Sequence, residues 1–359
     1  MLIRANKLED LERNNKVKIL FFSEVNIEKA GGIERHIRLL IKYLKKIDID
    51  CFSINSEEFK RCSFFDKNII SESLLSKKIL EIKPDIIHIH GFSNFSVYQA
   101  LKTSINLGLK VFYTPAYHPF EFHRRPFLAK AFFHIFLKRK LLAKCFKITT
   151  FSEYEKLFFI YYINNSKIVV LPSGVEYVNG IEAKQKPKEN NLIFVARPVH
   201  SKGFNLIQKL EKSLEEMKIK INVVGPNLNY VNSTVFKYYS NISDKELNSL
   251  YRNATATIIP SMYESFSIVG LESLSQGTPI IISDRVMLKE YFKDKDYVTE
   301  FNYTDGHDAL LNCIKKAIGC NENHYLRISQ ESISDIKRFR WDNVVKEYYA
   351  EYLHCLTSG

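Results

Sequence analysis

The chain has 359 residues, and 45% of them are hydrophobic, so it is long enough for two domains of ordinary size, each with a full core. Its formal net charge of +12 suits an anionic partner, such as nucleic acid, a phosphorylated substrate or an acidic lipid surface. The sequence lacks a long block of Lys and Arg and the motifs of the common nucleic-acid modules, which excludes nucleic acid as the expected partner. It also lacks an apolar run of about 18 residues, which excludes a membrane-spanning helix.

The N-terminal segment, residues 1–15, is charged and lacks the apolar stretch of a signal peptide, so we predict a flexible tail. The six cysteines are scattered and form no C-x-x-C pair, which favours reduced, buried thiols. Both features predict a cytoplasmic protein, and a peripheral contact with the inner face of the membrane stays open.

Strand and helix patterns alternate along the first half of the chain, which predicts parallel βαβ architecture. A buried strand over 17–22 leads to a glycine pair and a helix from residue 33 to about 46. Further strands are predicted over 85–90, 109–114, 147–151 and 168–171, and an aromatic and basic helix over 124–147. These elements form a first Rossmann-like domain, 16–175.

A polar stretch with proline and glycine, 176–190, is predicted to be a linker. A second strand series follows and defines a second Rossmann-like domain, 191–335. One long helical pattern over 333–356 contains the only tryptophan, Trp341, and residues 336–359 are predicted to form a C-terminal helix. The strands of the second domain are predicted over 192–196, 221–224, near Phe236, over 254–259 and over 279–283.

The glycine pair, Gly31 and Gly32, lies between the first strand and its helix. Without Cβ atoms these residues let a ligand approach backbone N–H groups at a helix N-terminus, which favours a phosphate. A simple turn before a helix fits the same pair. The pair is not part of a G-x-G-x-x-G fingerprint, which counts against a nicotinamide or flavin site.

Two cations stand at the start of the second domain. Arg197 directly follows a predicted buried strand, and Lys202 comes five residues later, before the next helix. The planar fork of Arg and the point charge of Lys together can clamp a diphosphate. Solvated loop cations are the alternative, which the position of Arg197 weakens, because parallel α/β sheets bind ligands beyond the carboxyl ends of their strands.

Two carboxylates, Glu264 and Glu272, stand in the run ATATIIPSMYESFSIVGLESLSQGTPIIIS, which predicts strand, turn, helix and strand. Glu264 lies in the turn, and Glu272 lies about two helical turns further on. Carboxylates repel a phosphate but accept hydrogen bonds from the hydroxyls of a polyol. The alternatives are a pair of solvated helix glutamates, or a capping box formed by Ser261 and Glu264.

These motifs occur in order with Ser152-Glu153 and with Pro172-Ser-Gly174, and together they resemble glycosyltransferase family 4. The resemblance runs from about residue 17 to the C-terminus. It implies an α/β protein with the GT-B fold, in which the parallel sheets of two Rossmann-like domains, an N-terminal acceptor domain and a C-terminal donor domain, face a central cleft and the C-terminal helix crosses back to the first domain. It implies a retaining glycosyltransferase that moves a hexose-type sugar from a UDP- or GDP-sugar to a glycan or lipid-linked acceptor.

The resemblance also implies roles for the candidate residues. Arg197 and Lys202 would neutralise the diphosphate, which becomes the leaving group. Glu264 would hold the donor sugar, and Glu272 would accept hydrogen bonds from the ribose. Further donor contacts would come from the backbone amides of the turn, from the loop beside the nucleobase and from the glycine pair of the other domain: Ser265, Phe266, Ser267, Ile242, Gly31 and Gly32.

His118, after the strand at 109–114, matches the active-site histidine of the family, with His123 or a purely structural role as alternatives. Ser267 departs from the family, which often has glycine there, and its side chain would alter how closely a phosphate approaches.

No obligatory metal or cofactor is expected beyond the nucleotide-sugar co-substrate, because two side-chain cations serve the phosphates. His88 and His90 lie on one face of a predicted strand. Without a further ligand cluster they are interpreted as part of the polar rim of the acceptor cleft rather than as a metal site.

The segment 124–147 carries aromatic residues among its cations. Two interpretations fit: a helix that contacts an anionic membrane surface, or a core helix whose Lys and Arg stems cover extra apolar packing. Two alternatives to the transferase also stay open, a catalytically silent nucleotide-sugar-binding subunit and a GT-B nucleotide-sugar epimerase. A measurement of turnover would distinguish the silent subunit from an enzyme. The epimerase would need an extra acid/base pair, which the sequence lacks.

Overall fold

The protein is represented by a computed structural model, in which the chain separates into two compact units. The first unit comprises 1–173 and 341–359, and the second comprises 174–340. The structure describes residues 16–29, 31–60, 69–92, 95–118, 141–177, 180–197, 199–226 and 233–358.

Each unit is built on a parallel sheet whose central strands carry apolar runs, as expected for a sheet covered by helices on both faces. The strands of the first unit are β1 Lys18–Ser23, β2 Asp50–Asn55, β3 Ile86–His90, β4 Lys110–Thr114, β5 Lys147–Thr150 and β6 Ile168–Val170. Those of the second unit are β7 Asn191–Val195, β8 Lys220–Val224, β9 Phe236–Tyr239, β10 Ala256–Ile259, β11 Ile280–Ser283 and β12 Val298–Phe301.

The strand order reverses once in each sheet. The first sheet has the order β2-β1-β3-β4-β5-β6, so its reversal lies between β1 and β3. The second has the order β12-β11-β10-β7-β8-β9, so its reversal lies between β10 and β7. Open α/β sheets bind their ligands in the crevice at such a reversal, beyond the carboxyl ends of the strands.

Helices cover both faces of each sheet. In the described part of the chain they are α1 Gly32–Lys46, α2 Glu72–Ile82, α3 Phe95–Asn106, α4 Glu153–Ile160, α5 Phe204–Gln208, α6 Glu211–Glu216, α7 Asp244–Asn253, α8 Ile268–Ser275, α9 Gly306–Ile318, α10 Glu322–Asp335 and α11 Trp341–Thr357. None of these is long and apolar enough to cross a membrane, a finding that covers the described residues alone.

The core of the first unit has two layers because successive strand residues point to opposite faces. On one face, Leu20 and Phe22 of β1 pack in a cluster with residues of α2, α3 and α4. On the other face, Ile19 and Phe21 pack with α1 and with Trp341 and other residues of α11. The C-terminal helix is therefore part of the first unit.

Two strands, β2 and β12, were not predicted. Both are edge strands, and their residues are partly exposed in the sequences DCFSIN and VTEF, so neither has the continuous apolar run of a central strand. The prediction of one helix over 333–356 is wrong. A 3₁₀ turn, Ile336–Phe339, and the extended backbone of Arg340 separate α10 from α11.

The remaining predicted segments differ in what the structure describes of them. In the segment 124–147, predicted to be a helix, residues 124–140 lie outside the described residues. The last residues of the segment are not an α-helix, because they form a 3₁₀ turn, Leu142–Lys144, and the start of β5. The stretch 176–190, predicted as a linker, contributes Lys184 to the interior of the second unit.

Candidate functional site

The reversal of the second sheet brings the ends of β7 and β10 side by side, since these strands pair in parallel. Arg197 follows β7, and the turn that holds Glu264 follows β10. The two charged motifs, more than 60 residues apart in the chain, therefore leave the sheet at the same edge. This is the edge where an open α/β sheet binds its ligand.

The loop after β7 is locked onto the loop after β10. It contains a 3₁₀ turn, His200–Lys202, followed by Gly203 with a φ of +74°. A Cβ on Gly203 would lie 1.9 Å from the carbonyl oxygen of Pro260, so only glycine allows this approach. The N–H of Met262 also donates to the carbonyl of Ser201 at 2.8 Å. The backbone thus holds Lys202 beside the turn that follows β10.

Lys202 and Glu264 form an ion pair, with 3.0 Å between Nζ and Oε1 and both side chains mostly buried. The second carboxylate oxygen of Glu264, Oε2, is buried and has no hydrogen-bond partner among the described residues. The backbone of Glu264 is fixed as well, because its N–H donates to Arg285 and its carbonyl accepts from Met287, both at 3.0 Å. The site therefore offers one acceptor oxygen next to a cation.

This arrangement rules out both alternative interpretations of Glu264. The residue precedes the helix rather than lying on it, and the helix N-cap is Ser267, whose Oγ accepts from the N–H of Gly270 at 3.2 Å. Ser261 instead accepts at its carbonyl from Ser283. The hydroxyl that departs from the family pattern at position 267 thus caps α8.

The turn before α8 contains the other predicted donor contacts. The Phe266 ring is buried and lies 5.6 Å from the Tyr291 ring, so its side chain serves packing. The amides of the first helical turn are the groups that a helix leaves without an intrahelical acceptor, and the helix dipole makes this end partly positive. Ser265, Phe266 and Ser267 lead directly into that end.

Glu272 lies on α8 and is 7% exposed. Its Oε2 accepts a hydrogen bond from the hydroxyl of Tyr251, on α7, at 3.1 Å. Ile242 is partly buried against the cluster that contains Tyr251. Arg197 is at the same sheet edge with an exposed side chain. The structure thus brings Lys202 and Glu264 into contact and places Arg197, Ile242 and Glu272 within the same unit.

The predicted site residues of the first unit lie near the carboxyl ends of β1 and β4. Gly31 precedes α1, and the Glu34 carboxylate lies over it, because a Cβ there would be 1.9 Å from Glu34 Oε2. At Gly32 no described atom lies within 4 Å of a Cβ position. Of the two, Gly32 has the room for a ligand to approach its backbone.

His118 follows β4 and is 2% exposed, with its ring 5.4 Å from that of Tyr154. The preceding residue, Tyr117, donates its backbone N–H to Oε1 of the buried Glu155 at 2.6 Å. Glu155 therefore anchors the segment that carries His118. His123, the competing histidine, lies outside the described residues.

The interpretation of His88 and His90 as a polar rim is wrong, because both side chains are buried in the core of the first unit. The two ring nitrogens of His88 are hydrogen-bonded, Nδ1 to the Tyr352 hydroxyl at 2.6 Å and Nε2 to Thr114 Oγ1 at 2.7 Å. Burial lowers the pKa of His88 well below its usual value and that of His90 to about 3, so both rings are neutral. Strand alternation identified their shared face but not that α1 and α11 cover it.

Three further polar residues were not identified from the sequence: Tyr251, Lys184 and Glu155. Tyr251 and Lys184 sit in sequence contexts without a motif. Glu155 lies three residues after Ser152, an S-x-x-E spacing that is typical of a helix N-terminus. In the structure Ser152 caps α4 by accepting from the N–H of Glu155, whose carboxylate accepts from the N–H groups of Phe151 and Tyr117.

The chain is similar to known proteins, some of which are named as sugar-transferring enzymes. Residues 179–334 match the family model described as glycosyl transferases group 1. An uncharacterised 41.2 kDa protein from the cps region of Klebsiella pneumoniae is 26% identical over 312 residues, 80% of this chain and 84% of that protein. The O-antigen chain mannosyltransferase RfbU of Salmonella typhimurium is 23% identical over 298 residues, 74% of this chain and 82% of that one.

Solved structures show the same fold. Sucrose-phosphate synthase from Thermosynechococcus elongatus matches with a TM-score of 0.74 at 14% identity, over 96% of this chain and 100% of that chain. This similarity confirms the predicted fold of two Rossmann-like units with parallel sheets. Each sheet has six strands.

Proposed function

We propose that this chain is a GT-B glycosyltransferase of the group 1 family, and that it moves a hexose-type sugar from a UDP- or GDP-sugar to a glycan or lipid-linked acceptor with retention of the anomeric configuration. The observation that carries the proposal is the contact between Lys202 and Glu264 at the reversal of the second sheet. It joins a cation suited to a diphosphate with a carboxylate suited to sugar hydroxyls.

Cleavage of the bond between sugar and diphosphate develops negative charge on the leaving group. Arg197, just after β7, and Lys202, in the loop that follows, would stabilise that charge, which is larger in the transition state than in the bound donor. The N-terminus of α8 adds partial positive charge at the same edge. Because side chains and backbone supply this positive charge, the mechanism needs no obligatory metal.

Glu264 is assigned to the donor sugar. Its buried Oε2 accepts a hydrogen bond from a sugar hydroxyl, which satisfies an atom that lacks a partner among the described residues. Glu272 is assigned to the ribose. Retention follows if the leaving phosphate accepts the proton of the incoming acceptor hydroxyl on the same face of the sugar, a step that requires no enzyme nucleophile.

The assignments in the first unit stay predictions: His118 beside the donor sugar, and Gly31 and Gly32 at the phosphate. The name of the Salmonella relative, an O-antigen chain mannosyltransferase, supports a hexose and a glycan acceptor. A cytoplasmic location is part of the proposal and is supported by the buried free thiols of Cys51, Cys145 and Cys355, since reducing compartments keep thiols free. Contact of the segment 124–147 with a membrane also stays a prediction.

The proposal is tested by incubating the protein with UDP- and GDP-linked glucose, galactose and mannose and a panel of lipid-linked and free oligosaccharides. NMR of the product reads the anomeric configuration. Lys202→Ala and Glu264→Ala should each lower turnover by about 100- to 1,000-fold while the protein stays folded. Lys209→Ala, at an exposed lysine of the same unit, is the control.

Turnover should also survive EDTA, because the positive charge comes from side chains. Inversion at the anomeric carbon would refute the mechanism, and full activity of Lys202→Ala would refute the site.

A further inference from the structure

The hydroxyl of Tyr251 holds one oxygen of the Glu272 carboxylate. The donor–acceptor distance to Oε2 is 3.1 Å, the tyrosine is fully buried, and the glutamate is 7% exposed. A hydrogen bond to a carboxylate is stronger than one between neutral groups. Since both residues are shielded from water, this hydrogen bond restricts the rotation of the Glu272 side chain, which otherwise has several rotamers.

Tyr251 is itself fixed from two sides. Its backbone carbonyl, in the last turn of α7, accepts from Thr278 Oγ1 at 2.7 Å and from Lys184 Nζ at 3.3 Å. Its ring packs in a cluster with Ile193 and Val224. A shift of this tyrosine would break polar contacts and open the cluster.

Lys184 strengthens this anchor because its Nζ also donates to the carbonyls of Arg252 at 2.8 Å and Ala254 at 2.6 Å. These carbonyls lie at the C-terminal end of α7, where a helix leaves its last carbonyls without intrahelical donors. A residue from the stretch predicted as a linker thus fixes the helix end that carries Tyr251.

We infer that Tyr251 is a positioning residue that orients the Glu272 carboxylate toward the ribose hydroxyls of the nucleotide donor. The inference rests on the proposed function, in which Glu272 binds the ribose. A carboxylate held in place before the nucleotide arrives loses less side-chain entropy on binding. The fully buried tyrosine is assigned no contact with the donor sugar or the diphosphate, so its effect should be confined to recognition of the ribose.

The test is Tyr251→Phe, which removes the hydroxyl and keeps the ring. Calorimetry measures binding of UDP and GDP, each beside its 2′-deoxy and 3′-deoxy analogue. In the wild type, loss of the hydroxyl that Glu272 binds should weaken binding by about tenfold or more. Tyr251→Phe should bind the parent nucleotide about three- to tenfold more weakly than the wild type does. It should bind the analogue that lacks this hydroxyl with nearly the same affinity as the wild type. The preference for the ribose hydroxyl should therefore shrink.

Tyr325→Phe is the matched control. Tyr325 is equally buried in the same unit, and its hydroxyl donates to the carbonyl of Thr255 at 3.0 Å. This variant also loses a buried hydrogen bond, so its Tm should fall to a similar degree. Its preference for the ribose hydroxyl should match that of the wild type.

An equal loss of affinity for the parent and deoxy nucleotides in Tyr251→Phe would mean a general loosening of the helix and would overturn the inference. The inference would also be overturned if Tyr251→Phe kept the wild-type preference for the ribose hydroxyl. The same holds if the wild type bound the parent and deoxy nucleotides equally well. The proposed transferase activity is judged separately, by product formation from the sugar donors. Failure of the positioning role therefore remains distinguishable from failure of the function.

Discussion

At the scale of single residues, the site depends on a glycine. Gly203 follows Lys202, has a φ of +74°, and lies against the carbonyl of Pro260. Both its backbone conformation and its close approach exclude a side chain. The position of Lys202 beside Glu264 is therefore a consequence of the residue that comes after it.

Gly203→Ala should destabilise the second unit by about 2–4 kcal/mol, since it combines a strained backbone with a steric clash. The clash should also push the Lys202 loop away from Glu264 and lower turnover. Urea denaturation measures the free energy of unfolding, and donor turnover measures the second effect.

Gly180→Ala separates the two causes. Gly180 has a similar φ, +79°, but no described atom lies within 4 Å of its Cβ position. Its alanine variant should lose only about 1 kcal/mol and keep its turnover. Equal effects of the two substitutions would show that the contact with Pro260 is unimportant.

At the scale of elements, the start of α4 holds the segment that carries His118. Glu155 in the first turn accepts from the N–H groups of Tyr117 and Phe151, at 2.6 and 2.8 Å. Burial raises the pKa of this carboxyl to about 8, although the two amide donors oppose the shift. The carboxyl thus binds a proton more tightly in the folded than in the unfolded protein.

This difference predicts how stability depends on pH. The unfolded carboxyl loses its proton near its ordinary pKa of 4.5, and the folded one near 8. Between these values the folded state holds the extra proton, so raising the pH lowers the free energy of unfolding by up to about 1.4 kcal/mol per pH unit. Denaturation between about pH 7 and 8, where unfolded histidines are mostly neutral, measures the slope.

Glu155→Gln is the comparison variant. Its amide mimics the neutral carboxylic acid, so its stability should be close to that of the wild type near pH 6.5, and the part of the slope due to this carboxyl should vanish. A parallel pH dependence in the two proteins would contradict the assignment of the raised pKa to Glu155.

At the scale of the whole molecule, the two units differ in their buried titratable groups. The first unit buries His36, His88 and His90, whose rings cluster with centroids 4.1 Å apart for His88 and His90 and 5.8 Å for His36 and His90. Burial lowers the pKa of all three rings. Among the described residues of the second unit, no histidine is buried.

The first unit should therefore be the more sensitive to acid. Unfolded histidines take up protons below about pH 6.5, whereas the buried ones stay neutral to lower pH, so the free energy of unfolding falls as the pH falls from 6.5. Trp341, the only tryptophan, lies in this unit with its ring 5.5 Å from that of His36. Its fluorescence should change before the hydrogen exchange of the second unit does.

His90→Phe should move the fluorescence midpoint to lower pH, because it removes one titrating ring and retains an aromatic side chain among its neighbours. A midpoint that is the same in this variant and in the wild type would contradict the role of the histidine cluster.

Local pattern in the sequence determined the fold class and the candidate chemistry. Central strands such as β1 and β10 are continuous apolar runs, so they were predicted to within two residues. Arg197, Lys202 and Glu264 were identified because each stands just after such a run, where a parallel sheet binds ligands. The edge strands β2 and β12 lack that run, and the break at Arg340 depends on a bridge to Val175, so neither was predicted.

Only the tertiary structure decided which of these residues meet. The contact of Lys202 with Glu264 depends on the pairing of β7 with β10, and the contact of Tyr251 with Glu272 depends on how α7 packs on α8. The same cause buried His88 and His90, since helices from both ends of the chain cover their face of the sheet. Sequence periodicity sets which face a side chain takes, but strand order and helix packing set what lies opposite it.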